Sequence, residues 1–94
     1  MTFGEALETI KTGKKAQREG WNGAGQYVYY VPAGHYAPCT EAGKELVGAD
    51  GKVSYRPYLA LKTVQGDVVP WLASQSDLLS DDWRVLGLLQ LICK

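Results

Sequence analysis

A chain of 94 residues that is 46% hydrophobic and 21% charged has the composition of one globular domain rather than a disordered segment. Ten Lys and Arg balance ten Asp and Glu, and this zero net charge argues against a DNA or RNA polymer as partner while leaving room for a small anion. Two distant cysteines, Cys39 and Cys93, exclude a disulfide framework, and no apolar run approaches the roughly 20 residues of a membrane helix.

The opening Thr2-Phe3-Gly4-Glu5 reads as a capping box, with Thr2 accepting from the Glu5 N–H and Glu5 reaching back. Phe3, Ala6, Leu7 and Ile10 follow at helical spacing and Gly13 stands as a C-terminal stop, so a helix is predicted over residues 3–12. Residues 15–19 suit a short strand. Asn22-Gly23 centres a glycine-rich bend from Gly20 to Gly25, and Gln26 to Val31, almost wholly β-branched or aromatic, gives the clearest strand. Pro32 closes it.

From Ala33 to Asp50 small and polar residues predict a loop. Strands are expected at 52–55 and 58–63, on either side of Arg56-Pro57, with a turn at Gln65-Gly66-Asp67. Ser74 with Asp77 three residues on predicts a capped helical turn over 74–80, and Asp81 to Leu86 reads as a last strand. The fold class is α+β: a small single domain, 1–94, with an N-terminal helix packed on an antiparallel sheet of about five short strands. Residues 86–94 form an apolar C-terminal extension, expected to pack on its own sheet or on a neighbouring protomer.

A domain this short buries only about 60–65% of the surface its unfolded chain exposes, so its core is thin and self-association is the expected remedy. No basic stretch followed by an apolar core opens the chain, which points to the cytosol.

Catalytic machinery is hard to find. His35 is the one histidine, and Cys39 four residues later is too slight a basis for a nucleophile–base pair. No metal-ligand spacing or Walker loop is present, and no cofactor is expected. Asp81-Asp82 reads as a solvated strand start rather than paired catalytic carboxylates, because neighbours on a strand point to opposite faces.

Aromatic residues stand out instead, with three Trp and six Tyr. Trp21 on its glycine bend and Trp71 after a proline lie off any core stripe, and indoles so placed either stack a flat heterocycle or fill a thin core. Trp83, alternating with Val85, favours the core. Arg18 and Arg56 could each hold a phosphate through a bidentate fork or form surface salt bridges, and Asn22, Ser74 and Gln75 offer groups for base edges and ribose hydroxyls.

Several segments carry a resemblance. Phe3-Gly4-Glu5-Ala6-Leu7, Gly20-Trp21-Asn22-Gly23, Tyr55-Arg56-Pro57, the run Val69 to Asp77 and Asp82-Trp83 occur in the order shown by the second Thoeris anti-defence family of phages. The chain resembles that family over roughly residues 2–85, and departs from it in the apolar tail. The resemblance implies a non-enzymatic sponge, acting in the cytoplasm of the infected bacterium, that binds a TIR-generated cyclic ADP-ribose isomer intact. It further implies a homotetramer with pockets between protomers and, in some members, a separate site for cyclic oligonucleotides. The ligand-binding residues it implies here are Trp21, Asn22, Gly23, Tyr27, Arg56, Trp71, Ser74, Gln75 and Asp77. By their side-chain chemistry, Trp21 and Trp71 would stack adenine and Arg56 would hold the diphosphate. A signal-degrading enzyme and an inhibitor that grips a host enzyme by direct contact stand as the alternative readings.

Overall fold

The computed structural model describes residues 1–21 and 25–86. Helix α1 spans Phe3–Ile10, and Thr2 and Glu5 close both halves of the capping box at its start. It ends two residues earlier than expected. Residues 11–13 form a turn instead, with Gly13 at φ 106°, a conformation open to glycine at no steric cost. The aliphatic stripe predicted from spacing faces inward, and Ala6 and Ile10 are fully buried.

Five antiparallel strands make the main sheet: β1 (Ala16–Arg18), β2 (Tyr27–Val31), β5 (Tyr58–Lys62), β6 (Val68–Pro70) and β7 (Trp83–Val85), in the order β6-β5-β2-β1-β7. Ala16 pairs with Val28 and with Val85, and Val28 pairs with Leu61, so these residues share one face. Helix α1 packs on that face, where Ala16, Val28 and Trp83 join Ala6 and Ile10 in a single small core. Met1 lies alongside β7: its carbonyl accepts from the Trp83 N–H, and its ammonium donates to the carbonyls of Asp81 and Trp83. The edge position of β6 lets Pro70 end that strand without depriving a neighbour of a donor, and the next residue, Trp71, donates its N–H to Leu59.

The stretch expected to be a loop, 33–50, is not one. It holds β3 (Gly34–Tyr36) and a four-residue helix α2 (Glu41–Lys44) capped by Thr40. Strand β3 pairs with β4 (Val53–Tyr55) in a separate two-stranded ribbon. The ladder of β2 with β5 ends at Val31↔Tyr58 and that of β3 with β4 begins at Gly34↔Tyr55. Pro32 and Pro57 fall in the gap, and neither has an N–H to bridge it. One long hairpin is thus cut into sheet and ribbon. Tyr36 and Tyr55 stack on the ribbon with ring centroids 4.6 Å apart.

Helix α3 (Gln75–Leu79) carries the second capping box, Ser74 with Asp77. Among the described residues there are therefore three helices and seven strands: the expected N-terminal helix packs on the expected five-stranded antiparallel sheet, α3 realises the capped turn predicted at 74–80, and α2, β3 and β6 are further elements. The bend residues Asn22 and Gly23 lie outside the described residues, as does the apolar extension beyond Leu86. The Leu86 N–H donates to the Lys15 carbonyl and prolongs the β7–β1 pairing by one step.

Candidate functional site

Trp21, Trp71 and Trp83 converge at one end of the core. Trp83 is 2% exposed and forms the floor, as its alternation with Val85 predicts. Trp21 meets it edge to face at 5.2 Å and 78°, and Trp71 does so at 5.9 Å and 79°. Phe3 of α1 closes the back, 5.2 Å from Trp83 and 5.8 Å from Trp71. Such tilted and edge-on pairs are worth about 0.5–1.5 kcal/mol each beyond their buried area. Trp21 and Trp71 are only half-buried. They pack against the core and remain partly exposed.

These two indoles stand 6.4 Å apart at 68°. Rings so inclined cannot sandwich one flat base between them. They form a corner, one indole set edge-on to the other.

Asp77 fixes that corner. Its Oδ1 accepts from Trp21 Nε1 at 3.1 Å and from Arg18 Nη1 at 2.9 Å, and its Oδ2 accepts from the Ser74 N–H at 3.4 Å. Its own N–H donates to Ser74 Oγ, and its carbonyl accepts from Trp83 Nε1 at 2.8 Å. One residue in the first turn of α3 thereby holds both the rim and the floor of the tryptophan cluster. Burial opposes ionisation of this carboxyl, but the hydrogen bonds from Arg18, Trp21 and Ser74 outweigh it and hold the group below the usual carboxylate range.

Arg18 is not available as a phosphate fork. Its Nε donates to Asp82 Oδ1 at 2.8 Å while Nη1 serves Asp77, and these two partners raise its own pKa further. Asp82, expected as a solvated strand start, is half-buried and also accepts from the Gly20 N–H at 2.9 Å. The hydrogen bond from Arg18 lowers the Asp82 pKa more than burial raises it. A side chain added at Gly20 would place its Cβ 2.9 Å from Asp82 Oδ2, so glycine lets the bend approach this carboxylate closely.

Of the residues singled out from sequence, the structure brings together Trp21, Trp71, Ser74, Gln75 and Asp77. Ser74 spends its hydroxyl on the α3 cap, and Gln75 follows it, exposed, as the first residue of that helix. Arg56 is exposed in the break between sheet and ribbon, and among the described residues it forms no ion pair. Tyr27 lies elsewhere: it alternates with the buried Val28 and occupies the opposite face of the sheet. Sequence reasoning missed Phe3 as a wall of the cluster and Arg18 as the link between two acids. The spacing of Phe3 from Ala6 and Leu7 was a sufficient signal for the first. Arg18 offered none, since its partners lie 59 and 64 residues away.

His35 sits on the ribbon between Ser54 Oγ at 2.8 Å and Asp50 Oδ2 at 2.7 Å. The imidazole and the carboxylate are half exposed, 50% and 53%, so water competes for this chain of bonds. It ties the turn at Asp50 to β3, and the hydrogen bond from His35 lowers the Asp50 pKa. Cys39 is exposed.

The fold is that of a small α+β domain that gathers three tryptophans at one end of its core. Its sequence places it more closely. Residues 1–86 match the Thoeris anti-defense 2-like domain, and the chain belongs to that Tad2-like family. It is 29% identical over 87 residues to the Thoeris anti-defense 2 protein of Bacillus phage SP01, covering 93% of this chain and 96% of that one. The family gives the protein a phage anti-defence role. Among the described residues no helix is long and apolar enough to cross a membrane.

Proposed function

We propose that the protein defeats the defence by sequestration, binding a TIR-generated cyclic ADP-ribose isomer, glycocyclic ADP-ribose, and holding it unaltered. The observation that carries this reading is the corner of Trp21 and Trp71, half open to solvent and locked from behind by Asp77. A purine stacked on an indole gains about 1–3 kcal/mol, and a wall fixed before binding loses little further entropy on capture. Ser74 and Gln75 supply polar groups at the start of the helix that carries Asp77, Asn22 and Gly23 join them as candidates from sequence, and Arg56 is the candidate cation for the diphosphate. Such a corner covers a ligand on two sides only. A second protomer that closes the remaining sides fits the homotetramer with shared pockets, and the thin core gives that association a further reason. Cyclic oligonucleotides are the other ligand class this reading admits.

The test is stoichiometric. Protein incubated with the cyclic signal and then heated should release the ligand chemically unchanged, and calorimetry should saturate at a fixed ratio of ligand to protomer. A second reading, degradation of the signal, draws on the bonded series Ser54–His35–Asp50. Substoichiometric protein that consumed excess ligand would decide for it.

A further inference from the structure

The sheet face turned away from α1 carries a second arrangement, separate from the tryptophan corner and independent of the function proposed for it. Tyr27 and Lys62 are direct cross-strand partners there, and Tyr29 follows Tyr27 on the same side. The Lys15 ammonium stands 4.5 Å from the Tyr27 ring centroid and the Lys62 ammonium 5.5 Å from it. The Tyr29 ring adjoins at 6.1 Å. Lys62 also donates to the Gly25 carbonyl at 3.1 Å, which fixes its position.

The charges on this face are unbalanced. The whole chain has zero net charge, yet among the described residues neither ammonium meets a carboxylate, while Glu19 is 3.9 Å from Arg84. Lys15, Tyr27, Tyr29 and Lys62 are all half-buried, so solvent screens the two like charges less than it would on an open surface. One aromatic ring attracts each cation weakly and does nothing for their mutual repulsion. A group with two negative charges and several acceptor oxygens would satisfy both ammoniums at once. A single carboxylate would leave one positive charge over.

We infer that Lys15, Tyr27 and Lys62 form a binding site for a phosphoryl dianion on the sheet face opposite the tryptophans. The dianion could be a phosphomonoester or a diphosphate, and the number of charges distinguishes both from a phosphodiester. The full chain, labelled at lysine, tyrosine and tryptophan, should be titrated by NMR with methyl phosphate, inorganic pyrophosphate and dimethyl phosphate. At least one dianion should move the Lys15, Lys62 and Tyr27 signals to saturation, and dimethyl phosphate should bind at least about tenfold more weakly. Whichever dianion saturates identifies the source. The pair Lys15→Gln and Lys62→Gln should weaken binding at least about tenfold with the tryptophan signals unmoved. Absence of saturable shifts with both dianions would overturn the inference, as would affinity unchanged in the double variant. So would a change in assembly mass by light scattering in that variant without any response to anions, which would make this face a contact with a second copy.

Discussion

Trp21 Nε1 donates to Asp77 Oδ1 across 3.1 Å and thereby ties the glycine bend to the first turn of α3. The same oxygen accepts from Arg18, whose other arm holds Asp82 at the start of β7. The segment of Arg18 and Trp21 is thereby joined to that of Asp77 and Asp82, 56 to 64 residues on, through two carboxylates and one guanidinium. Polar contacts thus hold Trp21 in place beside an apolar core of few residues.

Asp77→Ala should consequently cost more than an ordinary cap. It removes the hydrogen bonds to Arg18, Trp21 and Ser74 together and leaves Arg18 partly uncompensated at 18% exposure. A loss of about 2–4 kcal/mol is expected from urea unfolding, against roughly 1 kcal/mol for an N-cap alone. Asp77→Asn, which keeps the shape and an acceptor oxygen, should lose about half as much. Losses below about 0.5 kcal/mol in both variants would show that the network does not hold the fold.

Acid should loosen the same network. Asp77 and Asp82 titrate lower in the folded protein than the unfolded value of about 3.9, so the unfolded chain binds more protons between the two. Stability therefore rises with pH across that interval. The contribution is complete above about pH 5 and is lost as pH falls below about 4 toward the folded values. Denaturant midpoints at pH 7, 5 and 3 should fall mainly in the last step, and Asp82→Asn should shrink that fall. A flat wild-type profile down to pH 3 would contradict the account.

The parts of this structure legible in sequence are the local ones. Both capping boxes, Thr2–Glu5 and Ser74–Asp77, span three residues and follow from side-chain reach alone. Strand β2 declared itself by composition, but its Tyr-Val-Tyr-Tyr-Val is apolar on both faces, so nothing in the pattern said that Val28 enters the core and Tyr27 does not. Tyr27, grouped with the tryptophans by the family resemblance, therefore stands apart from them on the opposite face. Gly34-His35-Tyr36 is too short to show alternation, and its strand exists because β4 pairs with it. The Arg18–Asp82 pair was invisible for a third reason: an ion pair closed by folding leaves no spacing to read.

A core of so few residues makes each of them costly to truncate. Ile10 is fully buried against Ala6, Ala16, Val28 and Trp83, and Ile10→Ala should destabilise by about 2–5 kcal/mol. A chain of this length has a total stability of roughly 5–14 kcal/mol, so this variant should melt far earlier than wild type by calorimetry. Leu72→Ala, at a leucine 94% exposed, should stay within about 0.5 kcal/mol. An equal cost at the two positions would mean that Leu72 is covered in solution by another protomer.

Trp71→Ala is the sharpest test of the corner. The ring is half-buried and touches Phe3, Trp21 and Trp83, but it carries no link of the Asp77 network, so the fold and the assembly should survive its loss. Removal of one stacking face should weaken capture of the cyclic signal by about 5- to 150-fold, the equivalent of about 1–3 kcal/mol. Trp71→Phe, which restores a flat apolar face, should recover part of that. Calorimetry on the three proteins, with light scattering to confirm unchanged mass, reads both halves of the expectation. Wild-type affinity in Trp71→Ala would move the ligand elsewhere, and loss of affinity together with a changed mass would make Trp71 an assembly contact first.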